Sequence, residues 1–296
     1  MLASTLDANA PMSVAVPEVQ LGVLLGEWGA ARRLSQLDLA LAADVSARHL
    51  SFVENGKAQP SRDMVVRLAD ALEMPLRERN ALLMAAGFAP MFPETSLQTQ
   101  GMDQVRRAIE FMLAQQEPYP AFLLNRHWDI VMANRAALRV NRFLLGGRDS
   151  AHQNMMRACF DPTDLRMAMA NWEEVAGDLI RHLHNAVAGA PSDLTARALL
   201  NEVLAQPGVP EHWRRRDPVA TTTPLLTVRF RRDGHELGFF STITTFGTPR
   251  DVTVDELHVE SCFPVDDATV QLCRRLAEAD TGEAWGRPRR ADSLVH

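Results

Sequence analysis

Apolar residues recur at helical spacing between positions 18 and 88 of the chain. The first apolar stripe has the i, i+3, i+4, i+7 spacing of an amphipathic helix and consists of Leu21, Leu24, Leu25 and Trp28. Three glycines lower the intrinsic propensity of this helix, namely Gly22, Gly26 and Gly29. Further stripes follow the good N-cap residues Ser35, Ser46 and Ser61, and a last stripe runs from about Leu76 to Gly87. The pattern therefore predicts a compact bundle of five helices over 18–88.

The second and third of these helices are short and are separated by a tight turn. Asp44 lies in the turn, and aspartate tolerates the left-handed backbone conformation better than most non-glycine residues. Ser46 caps the third helix, and Asn55 with Gly56 ends it. A helix pair of this kind allows its second helix to enter the major groove of DNA while its first helix crosses the backbone.

Strand patterns appear only after a proline-rich polar segment. Residues 89–102 lack periodicity and are predicted to form a linker. A second domain is predicted over 103–279, with two strands, several helices, three strands and a final helix in that order. The ends of the chain, 1–17 and 280–296, are predicted to be a disordered arm and a flexible tail. The predicted fold class is α + α/β, with the helical bundle followed by a five-stranded antiparallel sheet and flanking helices.

Composition narrows the class of protein. The 296 residues are 46% hydrophobic and 23% charged, as in ordinary globular proteins. Three widely spaced cysteines without a C-x-x-C pair fit reduced thiols in a cytoplasm better than disulfides or a zinc cluster. Neither a secretory leader nor an apolar run of about 18 residues is present in the sequence, which predicts a cytoplasmic protein without a membrane span.

The first domain resembles the phage-repressor type of helix-turn-helix, the xenobiotic-response-element family. The likeness rests on S-Q-L-D-L-A at 35–40, D-V-S at 44–46, L-S-F-V-E-N-G-K at 50–57 and P-S at 60–61. It implies that the protein binds a double-stranded DNA operator, with base edges contacted by Ala47, Arg48, Ser51 and Phe52. Residues expected to contact the DNA backbone are Gln36, Asn55, Lys57 and Arg62, and Ser46 is also included among the DNA-binding residues. Arg48 is the strongest candidate, because its guanidinium can bond to guanine O6 and N7 together.

The charge of this domain leaves an alternative open. Positions 19–90 contain eight Lys or Arg and eight Asp or Glu, whereas an isolated DNA-binding module is usually basic. A bundle of the repressor type that binds only protein is therefore also compatible with the sequence, and the whole chain would then be an adaptor whose second domain only dimerises.

The second domain resembles a PAS-like sensor domain and, more closely, the ligand-binding domain of MmyB-like transcription regulators. The likeness spans about 104–278 and rests on N-R-x-W-D-I-V-x-x-N at 125–134, F-D-P at 160–162, N-W-E-E-V-A at 171–176 and F-P-x-D-D-A-T at 263–269. It implies a small apolar or fatty-acid-like ligand. The large side chains expected between sheet and helices are Phe122, Leu124, Trp128, Ile130, Met155, Met156, Phe160, Trp172, Val175, Leu179 and Phe240. For any single one of them, a place in an ordinary hydrophobic core is the favoured explanation. Arg229 and Thr242 are candidates to hold a polar head group of the ligand.

Signatures of catalysis, metal binding and cofactor binding are missing from the sequence. His235-Glu236 begins like a zincin, but position 239 is Phe, so the second helical histidine is lacking. Glu256, His258 and Glu260 alternate along a strand, and an exposed polar face explains them best. We therefore expect no enzyme and no cofactor.

The combined prediction is a one-component transcription regulator. Its N-terminal domain would read an operator, and its C-terminal domain would sense a small molecule or pair two subunits. Operator half-sites about one helical turn apart require two copies of the reading helix, so a homodimer is predicted.

Overall fold

The computed structural model describes residues 21–190, 192–215 and 225–279. The predicted arm (1–17) and tail (280–296) lie outside the described residues. Within them the chain forms two compact units, one of residues 21–74 and 78–91 and the other of residues 75–77 and 92–279.

The first unit confirms the predicted five-helix bundle. Its helices are α1 (Leu21–Arg32), α2 (Gln36–Ala42), α3 (Ala47–Glu54), α4 (Arg62–Ala71) and α5 (Leu76–Ala85). Their apolar stripes meet in one core, whose most fully buried large side chains are Leu25, Trp28, Leu39, Leu50, Leu68, Leu72, Leu82 and Leu83. Burial of this face, rather than the propensity of any one short helix, holds the bundle together.

Local hydrogen bonds fix the ends of α2 and α3. The Ser35 hydroxyl accepts from the backbone N–H of Asp38 at 3.2 Å, and the Asp38 carboxylate accepts from the backbone N–H of Ser35 at 3.1 Å, which forms a capping box. The Ser46 hydroxyl accepts from the backbone N–H of His49 at 3.1 Å. Asp44 has a φ of 52°, which is the left-handed turn conformation predicted for it.

The second unit contains a single described sheet and its flanking helices. The helices are α6 (Asp103–Gln115), α7 (Arg135–Leu144), α8 (Met155–Phe160), α9 (Trp172–Gly189), α10 (Leu194–Leu204), α11 (Val252–Asp255) and α12 (Asp267–Ala279). The strands are β1 (Ala121–Leu124), β2 (Ile130–Ala133), β3 (Val228–Arg232), β4 (His235–Thr245) and β5 (His258–Pro264). All pairs are antiparallel in the order β2-β1-β5-β4-β3, which confirms the predicted five-stranded antiparallel sheet.

The strand register assigns every side chain of the sheet to one of two faces. Phe122 of β1, Glu260 of β5 and Ile243 of β4 lie opposite one another and therefore share a face. Phe122 packs with Val175 and Ile180 of α9, so we call this the α9 face. The alternate residues lie on the other face, which we call the α6 face because Ala121, Leu123 and Val259 pack there with Ile109 and Leu113 of α6.

Part of the predicted linker is packed on the second unit. The backbone N–H of Val252 donates to the Pro93 carbonyl at 2.8 Å, and that of Thr95 donates to the Asp251 carboxylate at 3.3 Å. Met102 is buried, and Leu97 packs beside the α6 cluster. Residues from Phe92 onward accordingly belong to the second unit.

Candidate nucleic-acid interface and ligand cleft

Helix α3 has one buried face and one exposed face. Leu50 and Val53 point into the core of the bundle, whereas Arg48 and Phe52 are exposed on the opposite side. The guanidinium of Arg48 lies 5.5 Å from the centre of the Phe52 ring, where a cation–π contact orients it. The other predicted DNA contacts are also accessible, with Gln36, Ser46, Asn55, Lys57 and Arg62 exposed and Ala47 and Ser51 partly so.

Gln36 is engaged by a residue that the sequence reasoning did not single out. Its side-chain amide donates to the carboxylate of Glu54, at the end of α3. This bond fixes the start of α2 relative to α3. It also leaves one of the two amide hydrogens of Gln36 for a phosphate oxygen.

Gly22 sets the distance between α1 and the end of α3. A Cβ atom at position 22 would lie 1.9 Å from the backbone carbonyl oxygen of Glu54, so only glycine allows this approach. At Gly26, by contrast, an added Cβ would meet no atom within 4 Å. Helix propensity alone gives no sign of this difference, because it does not depend on which atoms lie beside the helix.

Ten of the eleven predicted ligand residues come together in the second unit. One apolar cluster on the α9 face contains Phe122, Leu124, Trp128, Met156, Phe160 and Val175 as buried residues, with Ile130, Met155, Trp172 and Leu179 partly buried beside them. The indole N–H of Trp172 donates to the Cys159 carbonyl at 2.9 Å. The cluster is the candidate apolar part of a ligand site.

The remaining member of the predicted set, Phe240, lies elsewhere. Phe240 is opposite Phe263 in the register, and this pair belongs to the α6 face, where the two rings stack with centres 5.3 Å apart. Arg229 and Thr242 occupy the same face, since they pair with Gly238 and Ser261. None of these three side chains faces the apolar cluster, because a strand register fixes the face of each residue.

His258 and Glu260 are not on an exposed polar face, contrary to the prediction. They are opposite Leu124 and Phe122 and thus lie on the α9 face. Burial raises the pKa of Glu260, and the hydrogen bond from the Ser241 hydroxyl opposes that shift. Burial and the nearby His182 lower the pKa of His258. Glu256 precedes β5 and does not continue their alternation.

Trp128 lies between these strand residues and α9. Its ring meets His182 of α9 edge-on with centres 5.1 Å apart and His258 edge-on at 5.5 Å. The backbone of Trp128 has a φ of 66°, unusual for a bulky residue. We call the group formed by Trp128, His182, Ser241, His258 and Glu260 the polar patch.

The polar patch borders open space, although it is largely enclosed by protein. Glu260 and His258 keep accessible surface, and His182 is exposed, yet burial is the first cause of the pKa shift of each. Ile243, opposite Glu260 on β4, is 51% exposed. We take this partly exposed surface, beside the apolar cluster, as the candidate ligand cleft.

A separate groove lies on the other side of the second unit. It has a volume of about 500 Å³ and is lined by Thr95, Gly101, Met102, Val105, Phe246, Gly247, Thr248, Pro249, Arg250, Asp251 and Val254. Phe246 packs with the α6 cluster, so this groove does not reach the polar patch. We regard the cleft as the better candidate because it combines an enclosed apolar wall with converging polar groups.

The thiols are not activated as nucleophiles. Burial raises the pKa of Cys159 to about 12 and that of Cys273 to about 11, so both are protonated near neutral pH. Within the described residues no group of His, Cys, Asp and Glu has the arrangement of a metal site. In the same ranges no helix combines the length and apolar character that a membrane crossing requires.

Comparison with known families agrees with both units. The family model described as the MmyB-like transcription regulator ligand binding domain matches residues 105–276, more than half of the chain. A helix-turn-helix family model matches residues 30–79. A comparison with curated proteins finds no match.

The solved structures that are similar to the chain include that of an RNA-binding light-oxygen-voltage receptor. The alignment covers 86% of this chain and 62% of the receptor chain, at 16% identity and a TM-score of 0.23. This chain thus spans less than two thirds of the receptor, and so low a score carries no argument. The two family models match the bundle and the sheet domain separately. The chain therefore belongs to the MmyB-like transcription regulators and is a DNA-binding protein of the helix-turn-helix class.

Proposed function

We propose that this protein is a one-component regulator, in which the unit that reads the operator and the domain that senses a small apolar ligand belong to the same chain. The protein would act in the cytoplasm as a homodimer. Two copies of α3 are needed because operators of this type present two half-sites about 34 Å apart, one helical turn of DNA.

The observation that carries the DNA-reading part is the position of Arg48. It is exposed in the first turn of α3, directly after the tight turn, and the Phe52 ring lies beside it. An arginine at the start of a recognition helix can bond to both acceptors of a guanine. Phe52 can contact a thymine methyl from the same face.

The ligand part is supported by the cluster on the α9 face. Its buried members give a cleft an apolar wall, and the partly exposed Met155, Trp172 and Leu179 lie at its border. A flexible chain such as that of a fatty acid would fit irregular walls rich in methionine and aromatic rings.

A footprint at Lys57 tests whether the bundle binds DNA as proposed. Lys57 is the only lysine of the chain, so an amine-reactive ester labels it and the N-terminal amine alone. Genomic fragments from beside the gene should protect Lys57 while leaving the N-terminal amine reactive. Full labelling of Lys57 under conditions that shift the DNA in a gel would refute the proposed docking, and no binding to any fragment would favour the adaptor.

Two substitutions separate sequence reading from backbone contact. Arg48→Ala should cost about 1–3 kcal/mol on the operator and relax specificity, whereas Lys57→Ala should weaken binding to all DNA alike and reduce the salt slope by about one. Arg107→Ala is the control, since Arg107 is an exposed arginine on α6 of the second unit, and it should change neither the affinity nor the salt slope. If the Arg48 variant kept the specificity of the parent, α3 would not be the reading helix.

A further inference from the structure

The polar patch places one carboxyl group inside an otherwise apolar wall. Glu260 lies between Phe122 on one side and Ile243 on the other in the register of the sheet. The only hydrogen bond among the causes of its pKa shift comes from Ser241, and no basic side chain of the described residues is among them. Such a carboxyl has spare acceptor capacity, because an ionised carboxylate can accept about four hydrogen bonds.

A second acceptor stands beside it. His258 lies two residues before Glu260 on the same face of β5, so the Cα atoms of the two residues are about 7 Å apart. Its Nε2 atom is buried and has no hydrogen-bond partner. Buried nitrogens without a hydrogen-bond partner are rare in proteins. A donor group on a ligand would supply the missing partner. In the tautomer protonated on Nδ1, this nitrogen accepts a hydrogen bond.

The backbone of Trp128 holds the patch in this arrangement. The left-handed conformation of a tryptophan is costly and persists only where surrounding contacts impose it. Here the Trp128 carbonyl accepts from the N–H of Met155 at 2.9 Å, and its own N–H donates to the Asn125 carbonyl at 3.0 Å. Arg126, the arginine closest to Trp128 in sequence, forms ion pairs with Asp193 at 3.5 Å and Glu256 at 3.4 Å.

The chemistry of the patch selects among head groups. A carboxylate ligand would bring a second negative charge beside Glu260, and like charges at one site oppose ionisation. An ammonium group would supply the missing opposite charge and up to three donors. We propose that the cleft binds an apolar molecule carrying a protonated amine, whose ammonium donates to the Glu260 carboxylate and to Nε2 of His258.

This inference rests on the proposed sensing function and replaces the fatty-acid-like head group by a basic one. A series of eight-carbon probes that differ only in the head group tests it on the full-length protein: octylamine, octanol and octanoate. Binding is measured by calorimetry and by the change in melting temperature. Octylamine should bind at least about tenfold more tightly than octanoate, with octanol between them, as expected for a hydrogen bond to a charged group.

The Glu260→Gln substitution removes the charge and keeps the shape. It should reduce the affinity for octylamine about tenfold and leave that for octanol unchanged. Glu236→Gln is the matched control on β4, where an exposed glutamate pairs with Arg231 at 2.6 Å, and it should change neither affinity. The head-group series on the unaltered protein gives an answer even if the Glu260 variant folds poorly.

The outcomes distinguish the two levels of the proposal. Octanoate binding as tightly as octylamine, or an unchanged affinity of the Glu260→Gln protein for octylamine, would overturn the amine assignment while supporting a sensor of apolar molecules. Absence of binding by all three probes would overturn the amine assignment and count against the sensing function itself.

Discussion

Alanine should affect the stability of the bundle differently at two glycines of α1, Gly22 and Gly26. At Gly22 the new methyl group would lie 1.9 Å from the Glu54 carbonyl oxygen, so α1 must move about 1.5 Å to reach the 3.4 Å of ordinary contact. The obstacle is backbone and cannot rotate away as a flexible side chain could. Overpacking of this kind costs about 1–3 kcal/mol.

Gly22 is the second residue of α1, so its gain in helix propensity is no larger than that of the interior Gly26. Replacing an interior glycine by alanine stabilises a helix by about 1 kcal/mol. At Gly26 nothing lies within 4 Å of the added Cβ, so the Gly26→Ala bundle should gain that amount. The two variants should therefore differ in free energy of unfolding by at least the overpacking cost at Gly22, about 1–3 kcal/mol. Each 1 kcal/mol corresponds to about 4–8 °C in the melting temperature of a domain of this size.

Hydrogen exchange of the full-length protein, read by mass spectrometry on peptides from α1 to α3, measures this difference without interference from the second unit. Exchange in α3 should be faster in Gly22→Ala and slower in Gly26→Ala than in the parent. Operator affinity should fall in Gly22→Ala alone, because the displaced contact is with the end of α3. A Gly22→Ala protein as stable as Gly26→Ala would refute the close approach of the two helices.

Three further predictions concern the second unit. Met156 is fully buried, so Met156→Trp should lower the free energy of unfolding by about 1–3 kcal/mol in a denaturant titration, and an unchanged midpoint would indicate spare volume there. The hydrogen bond from His152, with others from Thr163, lowers the pKa of Asp161 from 3.8 to about 2. The contribution of the Asp161 carboxylate to stability is therefore complete above about pH 4 and is lost as the pH falls towards 2. Asp161→Asn should flatten the stability profile in that window, and an unaltered profile would contradict the assignment. Iodoacetamide at pH 8 should alkylate Cys159 only after unfolding, and rapid alkylation of the native protein would show that the thiol is accessible.

The elements of both units could be predicted because each is encoded locally. Serine caps, the Asp44 turn and the apolar stripes define α2 and α3 within a few residues of sequence, and the strands follow from runs of alternating or apolar residues. The five helices and five strands of the prediction are accordingly present in the structure.

The partners across the fold could not be predicted in the same way. Whether Glu260 faces solvent or the α9 cluster depends on which residue of β1 stands opposite it, and a shift of one residue reverses every face. The same ambiguity placed Phe240 and Thr242 in the wrong group. Gly22 is a further case, because its role depends on a carbonyl oxygen of α3 that lies 32 residues later in the chain. Sequence patterns give the period of an element but not its neighbours.

A one-component regulator must change its affinity for the operator when the second unit binds a ligand. A titration of fluorescent operator DNA with the full-length protein tests this most directly. The titration is made without ligand and with the cleft saturated by octylamine, or by whichever probe of the series binds most tightly. A regulator that senses its ligand should change its affinity for the operator by at least about fivefold, the lower end of ordinary allosteric coupling. Identical affinities in the two titrations, with occupancy of the cleft confirmed by calorimetry, would contradict the account.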